Sequence, residues 1–321
     1  MKITASIRKM LKGRFCSQKN AQLEKILTIQ AQIQLSENRK LDQIADLTAV
    51  EVSAFSQWGE DGIIDWIISR LPGIPKTFIE FGVENYREAN TRLLLLLRNW
   101  RGLVIDGSSS NIQDIKSQEI YWRHSLTAQC AFINRDNIND LMKSGSMIGE
   151  VGLLSIDIDG NDYWIWQAIN TVQPAIVVVE YNAVFGDIQK ITVPYNSDFV
   201  RTEAHYSILY FGASLAALIE LGNEKGYSFI GTNKNGSNAF FVRNELAGEI
   251  KKSISKVAGY PSLIRESRNA TGELTYDGGL DRVKKIGHLP IMHLETSKIM
   301  AIRELSDIYS SDWKVNRERE F

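Results

Sequence analysis

The residues best equipped for chemistry in this 321-residue chain are carboxylates that appear where apolar runs stop. Leu153-Leu-Ser-Ile-Asp157-Ile-Asp159-Gly160-Asn161-Asp162 releases three acids at once, and Ala175-Ile-Val-Val-Val-Glu180-Tyr-Asn182 ends in an acid and an amide. Side chains two apart on an extended strand point the same way, which pairs Asp157 with Asp159 and Glu180 with Asn182. Gathered at one crevice, such oxygens repel one another unless a proton or a cation lies among them, and an all-oxygen donor set suits a hard ion such as Mg²⁺ or Mn²⁺. The expectation is a divalent metal held by Asp157, Asp159, Glu180 and Asn182. Asp162, at the end of a tight turn, is read as the cap of the following helix.

Two earlier acids follow the same pattern, Glu80 in Phe78-Ile-Glu80-Phe-Gly82 and Asp106 in Leu103-Val-Ile-Asp106-Gly107-Ser108. A glycine after a first strand lets backbone approach a ligand, and an acid at the end of the second strand accepts hydrogen bonds from ribose hydroxyls. A dinucleotide fingerprint needs glycines two and five positions beyond Gly82, where Glu84 and Arg87 stand, so pyrophosphate binding is disfavoured. His205, in Ala204-His205-Tyr206-Ser207, is read as a general base for an acceptor hydroxyl. His124, His288 and His293 have no such setting. Trp58, Trp100, Trp122, Trp164 and Trp166 are read as core or pocket walls.

The elements that must position these groups alternate. Thr77 to Phe81, Gly102 to Ile105, Val151 to Ile158 and Ala175 to Glu180 read as strands buried on both faces, with helices expected over Ala89 to Asn99, Arg135 to Lys143 and Asp162 to Thr171. This predicts an α/β, doubly wound, mostly parallel sheet whose neighbouring strand ends share one ligand crevice. Further on, helix Ser214 to Lys225 precedes Tyr227 to Ile230, a turn at Asn233 to Ser237, and Ala239 to Val242. That hairpin adds one antiparallel edge strand, which distinguishes a methyltransferase-type sheet from a dehydrogenase-type one. Helical N- and C-terminal extensions flank the domain. The expected units are a basic segment and helix over 1–50, the α/β domain over 51–245 and a helical extension over 246–321, with helices near Leu246 to Lys256 and Ser297 to Tyr309.

With 37 basic and 38 acidic residues no global field points to nucleic acid. Cys16 and Cys130 are too few for a disulfide scaffold or a thiolate metal site, which suits a cytoplasmic setting. The apolar run Leu93 to Leu97 falls far short of the roughly 20 residues that span a bilayer. Residues 1–19 carry Lys2, Arg8, Lys9, Lys12, Arg14 and Lys19 without an acid. They fit either a solvated basic terminus or a basic amphipathic segment that places the protein peripherally at an inner membrane. Ile26, Ile29 and Ile33 at 3-4 spacing, fading at Ser36 and Lys40, fit a short coiled coil joining copies of the chain or one helix packed on the next domain.

Taken together, Ser56-Gln57-Trp58-Gly59-Glu60-Asp61-Gly62, Phe78-Ile-Glu80-Phe-Gly82, Gly102-Leu-Val-Ile-Asp106-Gly107 and Leu154-Ser-Ile-Asp157-Ile-Asp159-Gly160-Asn161-Asp162-Tyr-Trp resemble the class I S-adenosylmethionine-dependent methyltransferases, and within them the FkbM-like group associated with bacterial glycan and polyketide O-methylation. The resemblance covers roughly residues 53–245. It implies that Glu80, Gly82 and Asp106, with the turn Gly107-Ser108, contact S-adenosylmethionine, and that Ser56, Gln57 and Asp61 line its pocket. In metal-dependent O-methyltransferases acids after strands four and five hold a divalent ion that gathers the acceptor's hydroxyls, a placement shared by Asp157, Asp159, Glu180 and Asn182. The implied activity is O-methylation of a saccharide or a glycan- or lipid-linked intermediate, with Asp157 and His205 catalytic. Two other classes fit parts of the pattern: a catalytically silent scaffold in glycan assembly, and a metal-dependent nucleotide-sugar enzyme using Asp157-Ile-Asp159. The latter lacks a phosphate-cradling loop.

Overall fold

The computed structural model describes residues 22–318; the basic segment 1–19 and Cys16 lie outside the described residues. Among the described residues ten strands occur in chain order: β1 (Thr77–Phe81), β2 (Arg101–Asp106), β3 (Leu126–Cys130), β4 (Gly149–Ile156), β5 (Val172–Glu180), β6 (Ile191–Thr192), β7 (Tyr227–Thr232), β8 (Asn238–Arg243), β9 (Pro290–His293) and β10 (Lys298–Ala301). Seven make one sheet in the order β3-β2-β1-β4-β5-β8-β7. Strands β1 to β5 pair in parallel, and β8 runs antiparallel between β5 and β7. This is the doubly wound, mostly parallel sheet expected for the methyltransferase-type variant, with its one antiparallel strand, β8, in the edge hairpin.

The sheet forms because its central strands are apolar on both faces. Phe78, Val104, Leu153, Ile176 and Val178 belong to the core on one side. Their neighbours Ile79, Leu103, Leu154, Val177 and Val179 belong to the core on the other, as the period of two requires. Strand order reverses between β1 and β4, so the chain leaving their carboxyl ends diverges to opposite sides and opens a crevice there. Edge strand β3 escapes the apolar reading because it alternates, with Leu126 and Ala128 buried and Thr127 exposed.

Residues 22–39 form one helix that buries Ala31 and Leu35 in the same core as Ile63 and Trp66. Arg39 pairs with the fully buried Asp65 at 2.7 Å, and Glu24 pairs with Arg92 at 2.8 Å, pinning the helix along its length. The C-terminal extension differs from expectation. The helix Ala247–Ser253 is present, but the stretch expected to be helical from Ser297 instead forms β10, hairpinned to β9, and a 3-10 turn at Ile302–Glu304. Ser297 takes a φ of 53°, a turn conformation incompatible with continuing a helix, and Lys298 to Ala301 pair outward in register. β6, eleven residues after β5, joins β9 to make a three-stranded sheet, which ties the extension to the loop leaving the crevice. No helix of the described residues is long and apolar enough to cross a membrane.

Candidate active site

A cleft of about 670 Å³ lies at the carboxyl ends of β1, β2, β4 and β5, where Glu80, Asp106, Asp157 and Glu180 all reach it. That size is within the usual range for small-molecule and cofactor sites. Its far wall comes from the C-terminal extension, through Ser262, Ile264 and Arg282. The Arg282 guanidinium donates to the carbonyls of Ile264 (2.7 Å) and Ser262 (3.1 Å), holding that wall in place.

At one end Asp106 stitches two turns together. Its carboxylate accepts from the backbone N–H of Glu84 and of Ser108, both at 2.8 Å, and from Asn111 Nδ2 at 3.1 Å. A carboxylate oxygen takes two donors, so Oδ2, with one, keeps a site open. Gly107 lines the cleft, while Ser108 caps the helix Ser109–Ser117 through its Oγ. Glu80 is more committed: it accepts from the backbone N–H of Asn90 (2.8 Å) and Thr91 (3.1 Å) and from the Thr91 hydroxyl. Burial pushes its pKa up to about 7 against the pull of these donors. Gly82 has a φ of 69°, and a Cβ there would sit 1.6 Å from the Asp157 carbonyl oxygen. The glycine is therefore required by the approach of β4's end, rather than by a ligand.

Ser56 and Asp61 do not reach the cleft themselves. Asp61 Oδ2 accepts from the backbone N–H of Ala54, Phe55 and Ser56 at 2.6–2.8 Å, and Ser56 Oγ accepts from the Asp61 N–H. The pair shapes the loop so that the next residues, Gln57 and Trp58, face the cleft. Burial raises Asp61 to about 6 despite three donors.

At the other end Asp157, Asp162 and Glu180 bring ligand atoms within 4.8 Å of one another. No side-chain hydrogen bond reaches the Asp157 carboxylate among the described residues, and Glu180 Oε2 is buried without a partner. Asp162 does not cap the following helix as expected: it is that helix's first residue, Asn161 stands at the N-cap, and its carboxylate instead accepts from the N–H groups of Ile158 (2.9 Å) and Gly160 (3.0 Å), closing the preceding turn while also facing the other two acids. Burial is the largest cause raising all three pKa values, and repulsion from neighbouring acids, Asp159 among them in each case, adds to it: Asp162 rises to about 6, and Asp157 and Glu180 well above the ordinary carboxylate range. Arg201 stands 4.0 Å from Glu180 and 3.7 Å over the Phe211 ring. Burial works against its charge, but Glu180, Asp159 and Asp157 outweigh that and raise its pKa.

Two expected ligands belong elsewhere. Strand β4 ends at Ile156, and Asp159 adopts a φ of 56°, so the period-two argument lapses and its carboxylate turns out to Arg201. Asn182 lies beyond the end of β5 and caps the turn Ala183–Phe185; its Oδ1 accepts from Val184 N–H and its Nδ2 donates to the carbonyls of Leu209 and Phe211, each at 2.9 Å. Its amide is consumed by the fold. Asp162 takes the place these two leave.

His205 is also displaced from its expected role. It is absent from the cleft wall, binds Ser207 Oγ through Nδ1 at 2.7 Å and packs between Tyr206 and His288. Burial lowers its pKa, with His288 and Lys285 adding to the effect. Trp164 and Trp166 are core residues, Trp58 is a cleft wall and Trp122 is 68% exposed. Arg201, the first residue of the short helix Arg201–Ala204, and Arg282 also line the cleft, and no local sequence pattern connects either to the acids at the strand ends.

No family model and no curated protein matches the sequence. Several solved structures are similar. The N-terminal domain of EvdMO1, crystallised with SAH bound, superposes with a TM-score of 0.36 at 10% identity over 57% of this chain and 79% of its own. An S-adenosylmethionine-dependent methyltransferase from Clostridium acetobutylicum gives 0.37 at 9% identity over 57% and 90%, and the CurJ carbon methyltransferase 0.35 at 11% over 61% and 56%. The fold assignment rests on the strand order and register described above.

Proposed function

We propose that this chain is an S-adenosylmethionine-dependent O-methyltransferase of the FkbM-like group, acting with a divalent cation on a saccharide or a glycan- or lipid-linked intermediate. The observation that carries the proposal is one cleft with two chemically distinct ends: Asp106 with an open acceptor site at the end of β2, and the acid group Asp157, Asp162 and Glu180 at the ends of β4 and β5. The first suits ribose hydroxyls. The second offers hard oxygen donors, one of them buried and unpartnered, so the residues present fit a divalent ion.

When bound, S-adenosylmethionine supplies an activated methyl group, and a divalent ion in the acid group supplies positive charge that favours an ionised acceptor hydroxyl. The chain's own task is placement. Asp106 and the walls formed by Gln57 and Trp58 fix the adenosyl end, while Asp157 and Glu180 orient the acceptor oxygen toward it. With a cation held in the acid group the Asp157 carboxylate would be ionised, and it would accept the proton of the acceptor hydroxyl as the oxygen takes the methyl group. Unpartnered oxygens of Glu180, Asn161 and Asn238 on the cleft wall seek donors, which supports a polyhydroxylated acceptor.

Calorimetric titration with S-adenosylhomocysteine tests the reading, with a UDP-sugar as control ligand. Micromolar binding weakened at least tenfold by Asp106→Ala supports it; absence of binding, or preference for the UDP-sugar, overturns it.

A further inference from the structure

Helix 22–39 carries two apolar faces, and among the described residues only one is packed against the domain. Ala31 and Leu35 are buried against the α/β core, on the same side as the Glu24–Arg92 pair. Leu23, Ile26, Leu27, Ile29 and Ile33 are 45–61% exposed on the opposite side. At 3.6 residues per turn these five fall within an arc of roughly 160°. Gln30 and Gln34 share that arc, and no charged residue enters it before Glu37. Five large aliphatic side chains in one solvent-facing stripe form a patch that soluble surfaces seldom leave uncovered.

We propose that this face lies on an anionic lipid surface. Two observations favour lipid over a second copy of the chain. The stripe spans fewer than two heptads before Ser36 and Lys40 interrupt it, too short for a stable coiled coil, and its arc is wider than an a/d seam. The sequence immediately before it, residues 1–19, holds six cations and no anion, which complements anionic headgroups and repels an identical segment in a neighbouring copy. The helix is bound to the domain through Arg39–Asp65, so insertion of its outer face carries the whole cleft to the membrane surface.

Sedimentation of the full chain with phosphatidylcholine vesicles, with and without phosphatidylglycerol, tests the proposal. Binding is expected only with the anionic lipid and should weaken in high salt. Ile26→Gln/Ile33→Gln, and separately Lys9→Gln/Lys12→Gln/Arg14→Gln, should each lower the partition coefficient at least tenfold while circular dichroism stays unchanged. Failure of the wild type to bind either vesicle, or undiminished binding by the Ile26/Ile33 variant, overturns it. So does a wild-type dimer, abolished by the same apolar variant, that ignores vesicles.

Discussion

Asp157→Asn separates the energetic burden of the acid group from its use. Asp157 faces Asp162 and Glu180 with ligand atoms within 4.8 Å. At an effective dielectric of about 20, each ionised pair at that distance costs about 3.5 kcal/mol. Protonation relieves part of this in the wild type, so neutralising Asp157 should stabilise the cation-free protein by about 1–3 kcal/mol at mildly alkaline pH. A bound ion works against this difference. At a concentration a hundredfold above its dissociation constant it stabilises the wild type by about 2.7 kcal/mol, whereas the variant, short of one carboxylate, should gain little. The assay is urea denaturation followed by tryptophan fluorescence, in EDTA and then in excess Mg²⁺ or Mn²⁺. A variant less stable than wild type in EDTA would show that Asp157 is structurally paired. An identical cation response in both proteins would show that the acid group does not hold the ion.

Gly82→Ala should destabilise the fold by about 2–5 kcal/mol, because the new Cβ meets the Asp157 carbonyl at 1.6 Å and φ is 69°; urea unfolding reads it. His205→Gln should leave methyl transfer within about twofold of wild type and cost about 1 kcal/mol of stability through Ser207, since the ring lies off the cleft wall; a loss of turnover with the stability intact would restore it as the base. Glu80 and Asp61 bind protons more tightly folded than unfolded, rising from 4.5 to about 7 and from 3.8 to about 6. The native state therefore holds more protons across that window, and stability should fall as pH rises from about 4 through about 7, measured as the thermal midpoint in a pH series.

The sheet was legible in the sequence because burial on both faces leaves no freedom of composition: β1, β2, β4 and β5 had to be continuous apolar runs, and the acids at their ends had to share an edge once the strands were parallel. The hairpin Tyr227 to Arg243 was legible for the same reason, with a Gly/Asn turn to mark it. What failed was inference two or three residues past a strand's end. Asp159 and Asn182 were placed by a periodicity that stops where the backbone turns, and Asp162 was read only as a cap although a carboxylate can close a turn with some lone pairs and face a neighbour with others. The cleft's far wall was beyond local reading altogether. Ser262 lines the site beside a Leu263 N–H that donates to the Asn235 carbonyl in the β7–β8 turn, and Arg282 holds the carbonyls of Ser262 and Ile264 from about twenty residues further on, contacts that no spacing announces. Which acids stand at the edge was determined by sequence; which of them face one another, and what closes over them, was decided by tertiary structure, because side-chain direction beyond a regular element depends on what the turn packs against.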